Sequence, residues 1–244
     1  MSKLNQSNIL NMRTALITGA SRGIGAELTR LLTSSGWRVF ATCRSPTEEL
    51  IAINLNGGSV ISGIDVTSNE GIALIVEGVK GIKLDLLINN AGYLGTESFD
   101  SLDADSIRLQ FETNSLSPLL ITSALVKNEN LISGSKVTMM SSIAASMASQ
   151  TSGGIYGYRM SKAALNMASV LLTHDLKPLG ISVLIVHPGA VDTDMLDKLI
   201  ARRGVMPNII TTAESAVGLL KLVEQTSMET TGKFYHVDGS EMPW

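Results

Sequence analysis

Only one cysteine, Cys43, occurs in 244 residues, so the chain has no internal disulfide and no cysteine-built metal site. That usage suits a reducing compartment; a cytoplasmic location is expected, with Cys43 as a packing residue. Long apolar runs are missing as well. No stretch is long enough to span a bilayer, and Met1 to Arg13 lacks the apolar centre of a secretory leader. Basic excess is absent: the formal net charge is -3, which removes the electrostatic reason to expect nucleic acid or an anionic membrane as a partner. His174, His187 and His236 have no companions at metal-ligand spacing, so no metal is expected. Asp192, Asp194 and Asp197 read as complements to a helix dipole.

What the chain does have is a steady alternation. Short β-rich apolar runs at 14–18, 38–42, 59–64, 84–88, 136–140, 182–186 and 233–236 read as buried strands. Between them, 24–35, 70–80, 104–126, 155–176, 194–203 and 213–225 carry the helical pattern. Alternation of this kind predicts an α/β fold, a single doubly wound domain with a seven-stranded parallel sheet flanked by helices. Residues 13–244 form that domain, and residues 1–12 read as an N-terminal arm. In such sheets ligands bind outside the carboxyl ends of the strands, so the loops after the strands are where chemistry is sought.

The first of these loops is Thr18-Gly19-Ala20-Ser21-Arg22-Gly23-Ile24-Gly25, between a strand and a helix. Glycines there permit a tight turn and close backbone approach, and a helix N-terminus offers free N–H groups to a pyrophosphate. A dinucleotide site follows from that context. Farther along, Tyr158 and Lys162 stand four residues apart in a helical stretch, so phenol and ammonium share a face. A fixed cation lowers a tyrosine's pKa and suits it to exchange a proton with a carbonyl or alcohol oxygen. Tyr156 competes for that role, but four residues beyond it stands Met160, which is no cation.

The spacing Gly-x-x-x-Gly-x-Gly resembles that of the short-chain dehydrogenase/reductase family. Asn89-Asn90-Ala91-Gly92, Tyr158 with Lys162, and Pro188-Gly189 match the family's motifs in order, over essentially the whole chain from Arg13. Within it the chain is most similar to carbonyl reductases of the sniffer and C-factor type. The features are Tyr-Gly-Tyr-Arg-Met-Ser-Lys, extra residues around Gln150 to Gly154, and the ending Asp238-Gly239-Ser240-Glu241-Met242-Pro243-Trp244.

The resemblance implies a Rossmann fold and an NADP (NADPH) cofactor. Where NAD enzymes place an acid after the second strand, this chain has Cys43, and Arg44 and Arg22 are positioned to flank a 2′-phosphate. Gly19, Ser21, Arg22, Gly23, Ile24 and Gly25 would hold the pyrophosphate, and Asp65 and Val66 the adenine. Asn90, Ala91 and Gly92 would touch the cofactor ribose and support the sheet. Pro188, Gly189, Val191 and Thr193 would line the nicotinamide carboxamide, with Thr193 bonding the amide.

The implied catalytic set is Asn114, Ser142, Tyr158 and Lys162. Tyr158 is the acid/base, and Lys162 lowers its pKa and binds the nicotinamide ribose. Ser142 shares the substrate oxygen, and Asn114 anchors a water that links the lysine to solvent. Neighbouring serines leaving a strand face opposite ways, so Ser141 stands as the alternative to Ser142. Residues 194–207 are expected to form a short flap, and residues 150–154 to shape the same pocket. The expected function is NADPH-dependent reduction of a small aldehyde or ketone; the alternative is an NADP-binding sensor or signalling protein with little turnover. A homodimer or homotetramer through the helices of Asn114 and Tyr158 is a possibility that the family offers.

Overall fold

The structure, a computed structural model, describes residues 12–204 and 207–244; residues 1–11 of the expected arm and two residues of the expected flap lie outside them. Seven strands form one parallel sheet: β1 (Thr14–Thr18), β2 (Arg38–Thr42), β3 (Ser59–Ile61), β4 (Leu84–Asn89), β5 (Leu131–Met140), β6 (Ser182–His187) and β9 (Phe234–His236). Their order is β3-β2-β1-β4-β5-β6-β9. Two further strands of two residues each, β7 (Ala190–Val191) and β8 (Ile209–Ile210), pair separately beside the sheet. The helices are α1 (Gly23–Ser34), α2 (Glu48–Ala52), α3 (Asn69–Gly78), α4 (Ala104–Phe111), α5 (Ser117–Lys127), α6 (Tyr156–Leu176), α7 (Asp194–Arg203) and α8 (Thr212–Gln225).

Period-two alternation along the central strands supplies both cores. From β1, Ala15 and Ile17 enter one core with Leu28 and Leu32 of α1 and Leu219 and Val223 of α8. Leu16 enters the opposite core with Ile75 of α3, Leu125 of α5 and Leu165 of α6. Both faces of the sheet are therefore covered, which is why its strands read as continuous apolar runs.

Four differences from the expected elements have local causes. The third strand stops at Ile61 because the Gly63 N–H donates to Arg44 O and the Ile64 N–H to Cys43 O, which turns the chain out of the ladder. The helix expected over 104–126 is broken by a π-helical turn at Glu112–Leu116. Pro118, in the first turn of α5, has no N–H to give to Asn114 O four residues back, and the wider turn absorbs that loss. The helix expected from residue 155 begins at Tyr156, because Ile155 adopts φ 48°, in the left-handed region. The short α2 is capped by Thr47, whose hydroxyl accepts from Leu50 N at 3.2 Å, a signal too local to stand out in an apolar pattern.

Strand β1 lies between β2 and β4, so the loops after β1 and β4 diverge to opposite sides of the sheet and open a crevice at its carboxyl edge. Leu16 is fully buried whereas Leu74 is half exposed. Leu16→Ala should lower the stability measured by urea unfolding by about 2 to 5 kcal/mol. Leu74→Ala should stay within about 0.5 kcal/mol, and equal losses would show that the two-core assignment is wrong.

Candidate active site

The glycine loop is shaped by close approach. Gly19 has φ 68°, and a Cβ there would sit 2.9 Å from the Ala91 Cα; one at Gly25 would lie 2.3 Å from Gly19 O. Gly23, at φ 57°, faces Thr193. Arg22 occupies the N-cap position of α1 but its side chain makes no capping bond, so the first-turn N–H groups lack a capping oxygen. Those N–H groups fit an anion, and the flanking glycines leave room for it. Ser21 O accepts from Thr47 Oγ1, and Ile24 packs against the α1-side core.

Asn90 fastens this loop to β4. Its amide donates to Thr18 O at 2.9 Å and Gly19 O at 3.0 Å, while Thr18 Oγ1 accepts from the N–H groups of Asn90 and Ala91. Gly92 follows, where a Cβ would stand 3.5 Å from Asn114 Oδ1 and 3.9 Å from Lys162 Nζ.

On the other side of the loop, β2 ends at the buried Cys43, and Arg44 is exposed with no ion pair among the described residues. Arg22 is engaged: its Nη1 lies 2.7 Å from Asp194 Oδ2, an ion pair across the mouth of the crevice. The Asp65 carboxylate accepts the Thr67 N–H and hydroxyl, and these bonds hold it below the usual carboxylate range. Val66 packs against the α3-side core.

The catalytic candidates converge where β5, the π-turn and α6 meet. Ser141 turns inward and donates to Asn166 Oδ1, whereas Ser142 accepts from Ala144 N to cap a short turn and lies near enough to Tyr158 to favour its phenolate. Of the two serines, Ser141 is thus engaged on the inner side and Ser142 is the one that faces Tyr158. Lys162 is buried, donates to Met140 O at 2.6 Å, and has its Nζ 5.8 Å from the centre of the Tyr158 ring. Asn114 is fully buried: its Oδ1 accepts from Tyr93 N, and its amide donates to Tyr93 O and Ser161 Oγ.

The electrostatics correct one expectation. Burial pushes the Tyr158 phenol up, and the opposing hydrogen bond from Ser142 does not reverse that. In the protein alone the Tyr158 phenol is therefore held protonated by its desolvation. Burial likewise lowers Lys162 to about 8.

Pro188, Gly189, Val191 and Thr193 follow β6 at the same edge. Pro188 O accepts from Ser215 Oγ, Gly189 abuts Ile210, and Val191 is buried. Thr193 caps α7, accepting from Leu196 N at 3.3 Å and donating to Val191 O at 3.1 Å. His187 is driven down to about 3 by burial and by its neighbour His236, 5.2 Å between ring centres, so it stays neutral. Gln150 folds back onto the carbonyls of Ile143 and Ser146, which holds residues 150–154 beside the Ser142 turn.

Beyond Tyr93 opens a cavity of about 550 Å³, lined by Leu94, Glu97, Asp103, Ser106 and Lys198 among others. Sequence reading missed its polar wall. The signal was present: Ser106, Gln110 and Asn114 recur every four residues, a polar stripe on a helical face.

Comparison with known proteins decides the family. The family model described as short chain dehydrogenase matches residues 13–204. The chain belongs to the short-chain dehydrogenase family. It is 37% identical over 235 residues to the 1-hydroxy-2-glutathionyl-2-methyl-3-butene dehydrogenase of a Rhodococcus species, covering 96% of this chain and 100% of that one. The NADPH-bound carbonyl reductase from chicken fatty liver superposes with a TM-score of 0.83 at 31% identity, over 96% of this chain and 99% of the other. Carbonyl reductase Sniffer of D. melanogaster gives 0.80 at 27%, over 96% and 100%. The family and the doubly wound fold expected from the motifs both hold, and no helix among the described residues of this short-chain dehydrogenase is long and apolar enough to cross a membrane.

Because Lys162 titrates near 8 when folded and near its ordinary 10.5 when unfolded, the unfolded chain binds the extra proton between those values. This group therefore adds stability as pH rises through that window and withdraws it as pH falls. In Lys162→Met, urea-derived stability relative to the natural protein should drop by up to about 1.4 kcal/mol per pH unit across the window. A flat difference would place the ammonium in water.

Proposed function

We propose that this chain is an NADPH-dependent carbonyl reductase acting on an aldehyde or ketone of a small molecule. The observation that carries the reading is the convergence of Ser142 and Tyr158 at the carboxyl edge of the sheet, beside the buried ammonium of Lys162. Two hydroxyls meeting in this way form a cradle for one carbonyl oxygen, and the protonated Tyr158 is ready to give its proton to that oxygen as charge develops. A bound nicotinamide cofactor supplies the hydride. Lys162 holds positive charge near the ring and has donors for the cofactor ribose, while Asn114 fixes the strand-to-loop turn at Tyr93 against α6. The uncapped first turn of α1 takes the pyrophosphate, and Asp65 with Val66 flanks the adenine. Arg44, exposed and unpaired among the described residues, takes the 2′-phosphate together with Arg22 once the latter leaves Asp194. The Rhodococcus relative is named for oxidation of a glutathionyl alcohol, so the same site serves either direction as the cofactor pool dictates.

Assembly through α4, α5 and α6 is part of the proposal. Leu109, Leu116 and Leu120 on one side and Met160, Met167 and Leu171 on the other are exposed at matching seven- and four-residue spacings, an apolar surface suited to a second copy. Cytoplasmic residence remains the reading that the lone buried Cys43 favours.

Tyr158→Phe should retain NADPH binding, read by nucleotide fluorescence, and lose turnover of ketones and aldehydes by about 10²- to 10⁴-fold. A fully active variant would put the proton donor elsewhere, and a natural protein that binds NADPH but reduces no carbonyl would favour a sensor. Arg44→Asp should weaken NADPH relative to NADH by roughly ten-fold in dissociation constant; an unchanged ratio would remove Arg44 from the 2′-phosphate site.

A further inference from the structure

The lining of the cavity beyond Tyr93 carries charges of both signs, and each sign keeps an atom with no partner among the described residues. Glu97 is 5% exposed, and its Oε1 accepts from Ser106 Oγ and Gln110 Nε2, both at 2.6 Å. Gln110 is in turn locked by the Gly95 N–H, which donates to its Oε1 at 2.9 Å. The second carboxylate oxygen, Oε2, is buried with no hydrogen-bond partner among the described residues. Desolvating a carboxylate oxygen without a donor is costly, so this wall calls for one. Asp103 stands beside it, with Oδ1 used to cap α4 and Oδ2 unpartnered among the described residues. Across the cavity, Lys198 of α7 is exposed and its ammonium meets no acceptor among the described residues.

The cavity wall is also bonded to the residue that opens α6. Glu97 O accepts from Ile155 N at 2.8 Å, one residue before α6, and a Cβ on Gly157 would meet Gln110 Nε2 at 2.3 Å. Tyr158 is the next residue, so the Glu97 network and the proton donor share one turn of backbone. At about 550 Å³ the space exceeds what a simple aldehyde fills, and it lies in the size range of sites for larger organic ligands.

From this geometry we infer that the cavity is the subsite for the non-reacting part of the substrate, and that it takes an α-amino-acid zwitterion. The ammonium lies against Glu97 and Asp103 and the carboxylate against Lys198. The inference rests on the carbonyl reductase reading and narrows it to ketones or aldehydes carried on an amino acid or short peptide.

Four ketones test it, made by adding cysteine, N-acetylcysteine, cysteamine or 2-mercaptoethanol to methyl vinyl ketone. They share the reacting carbonyl and differ only in the charges that the subsite reads. With NADPH oxidation as the readout, kcat/KM should favour the cysteine adduct over the mercaptoethanol adduct by roughly ten-fold or more. Lys198→Ala, at an exposed helix position, should shrink the advantage of the cysteine adduct over the cysteamine adduct. Glu97→Gln should shrink its advantage over the N-acetylcysteine adduct. Equal kcat/KM for all four adducts, or ratios untouched by both variants, would overturn the subsite while leaving the reductase reading standing. Absence of NADPH oxidation with any ketone, charged or neutral, would overturn that reading and the subsite with it.

Discussion

Everything at the carboxyl edge of this sheet depends on the bonds between Asn90 and Thr18. The Asn90 side chain holds the carbonyls of Thr18 and Gly19, and the Thr18 hydroxyl holds the Asn90 and Ala91 amides in return. Two loops that leave neighbouring strands in divergent directions are thereby fastened at their bases. Gly19 then rests on Ala91, and Gly25 rests on Gly19 O, which sets the anion cradle. In the other direction the chain runs through Gly92 and Tyr93 to Asn114 and Ser161, and so to the helix of Tyr158 and Lys162. The glycine loop and Tyr158 belong to one hydrogen-bonded frame, which is what the proposed reaction would require of them.

Burial governs the chemistry of that frame more than pairwise charge does. Lys162 lies close to Tyr158, yet the phenol is raised, because its removal from water penalises the phenolate. The ammonium shows the same force with the opposite sign and falls to about 8. A neutral phenol beside a buried ammonium is the arrangement that the proposed donation toward a substrate oxygen would use. The π-turn at Glu112–Leu116 serves the same end by bringing Asn114 fully inside, where its amide is satisfied by one backbone and one side-chain partner.

Much of this was legible in the residues. Strand placement succeeded because buried parallel strands are apolar on both faces, and the glycine loop and the Tyr158–Lys162 spacing are local patterns. What escaped was non-local or fine-grained. The helical pattern over 104–126 runs on through Pro118, and the wider turn just before that proline packs against α6, which no local pattern shows. Ile155 in a left-handed conformation has no sequence signal, since β-branched residues avoid that region. The partner that Arg22 finds in Asp194 lies 172 positions away, and the direction of the Tyr158 shift depends on how deeply its hydroxyl sits. Glu97 carries no local mark of burial in the sequence, and it is the fold that encloses it.

The Arg22–Asp194 pair gives the crevice a kinetic character. It spans from the glycine loop to the first turn of α7, with both side chains about 70% exposed. Under the proposed cofactor site, a phosphate arriving at the loop would meet a guanidinium that already has an anion, and docking would be an exchange of partners with Asp194 as the displaced one. Dissolved salt then acts twice: it screens the attraction that draws a polyanion inward, and it loosens the pair that guards the entrance. The two effects oppose each other, so arrival at this mouth depends less steeply on ionic strength than at a mouth lined by unpaired arginines.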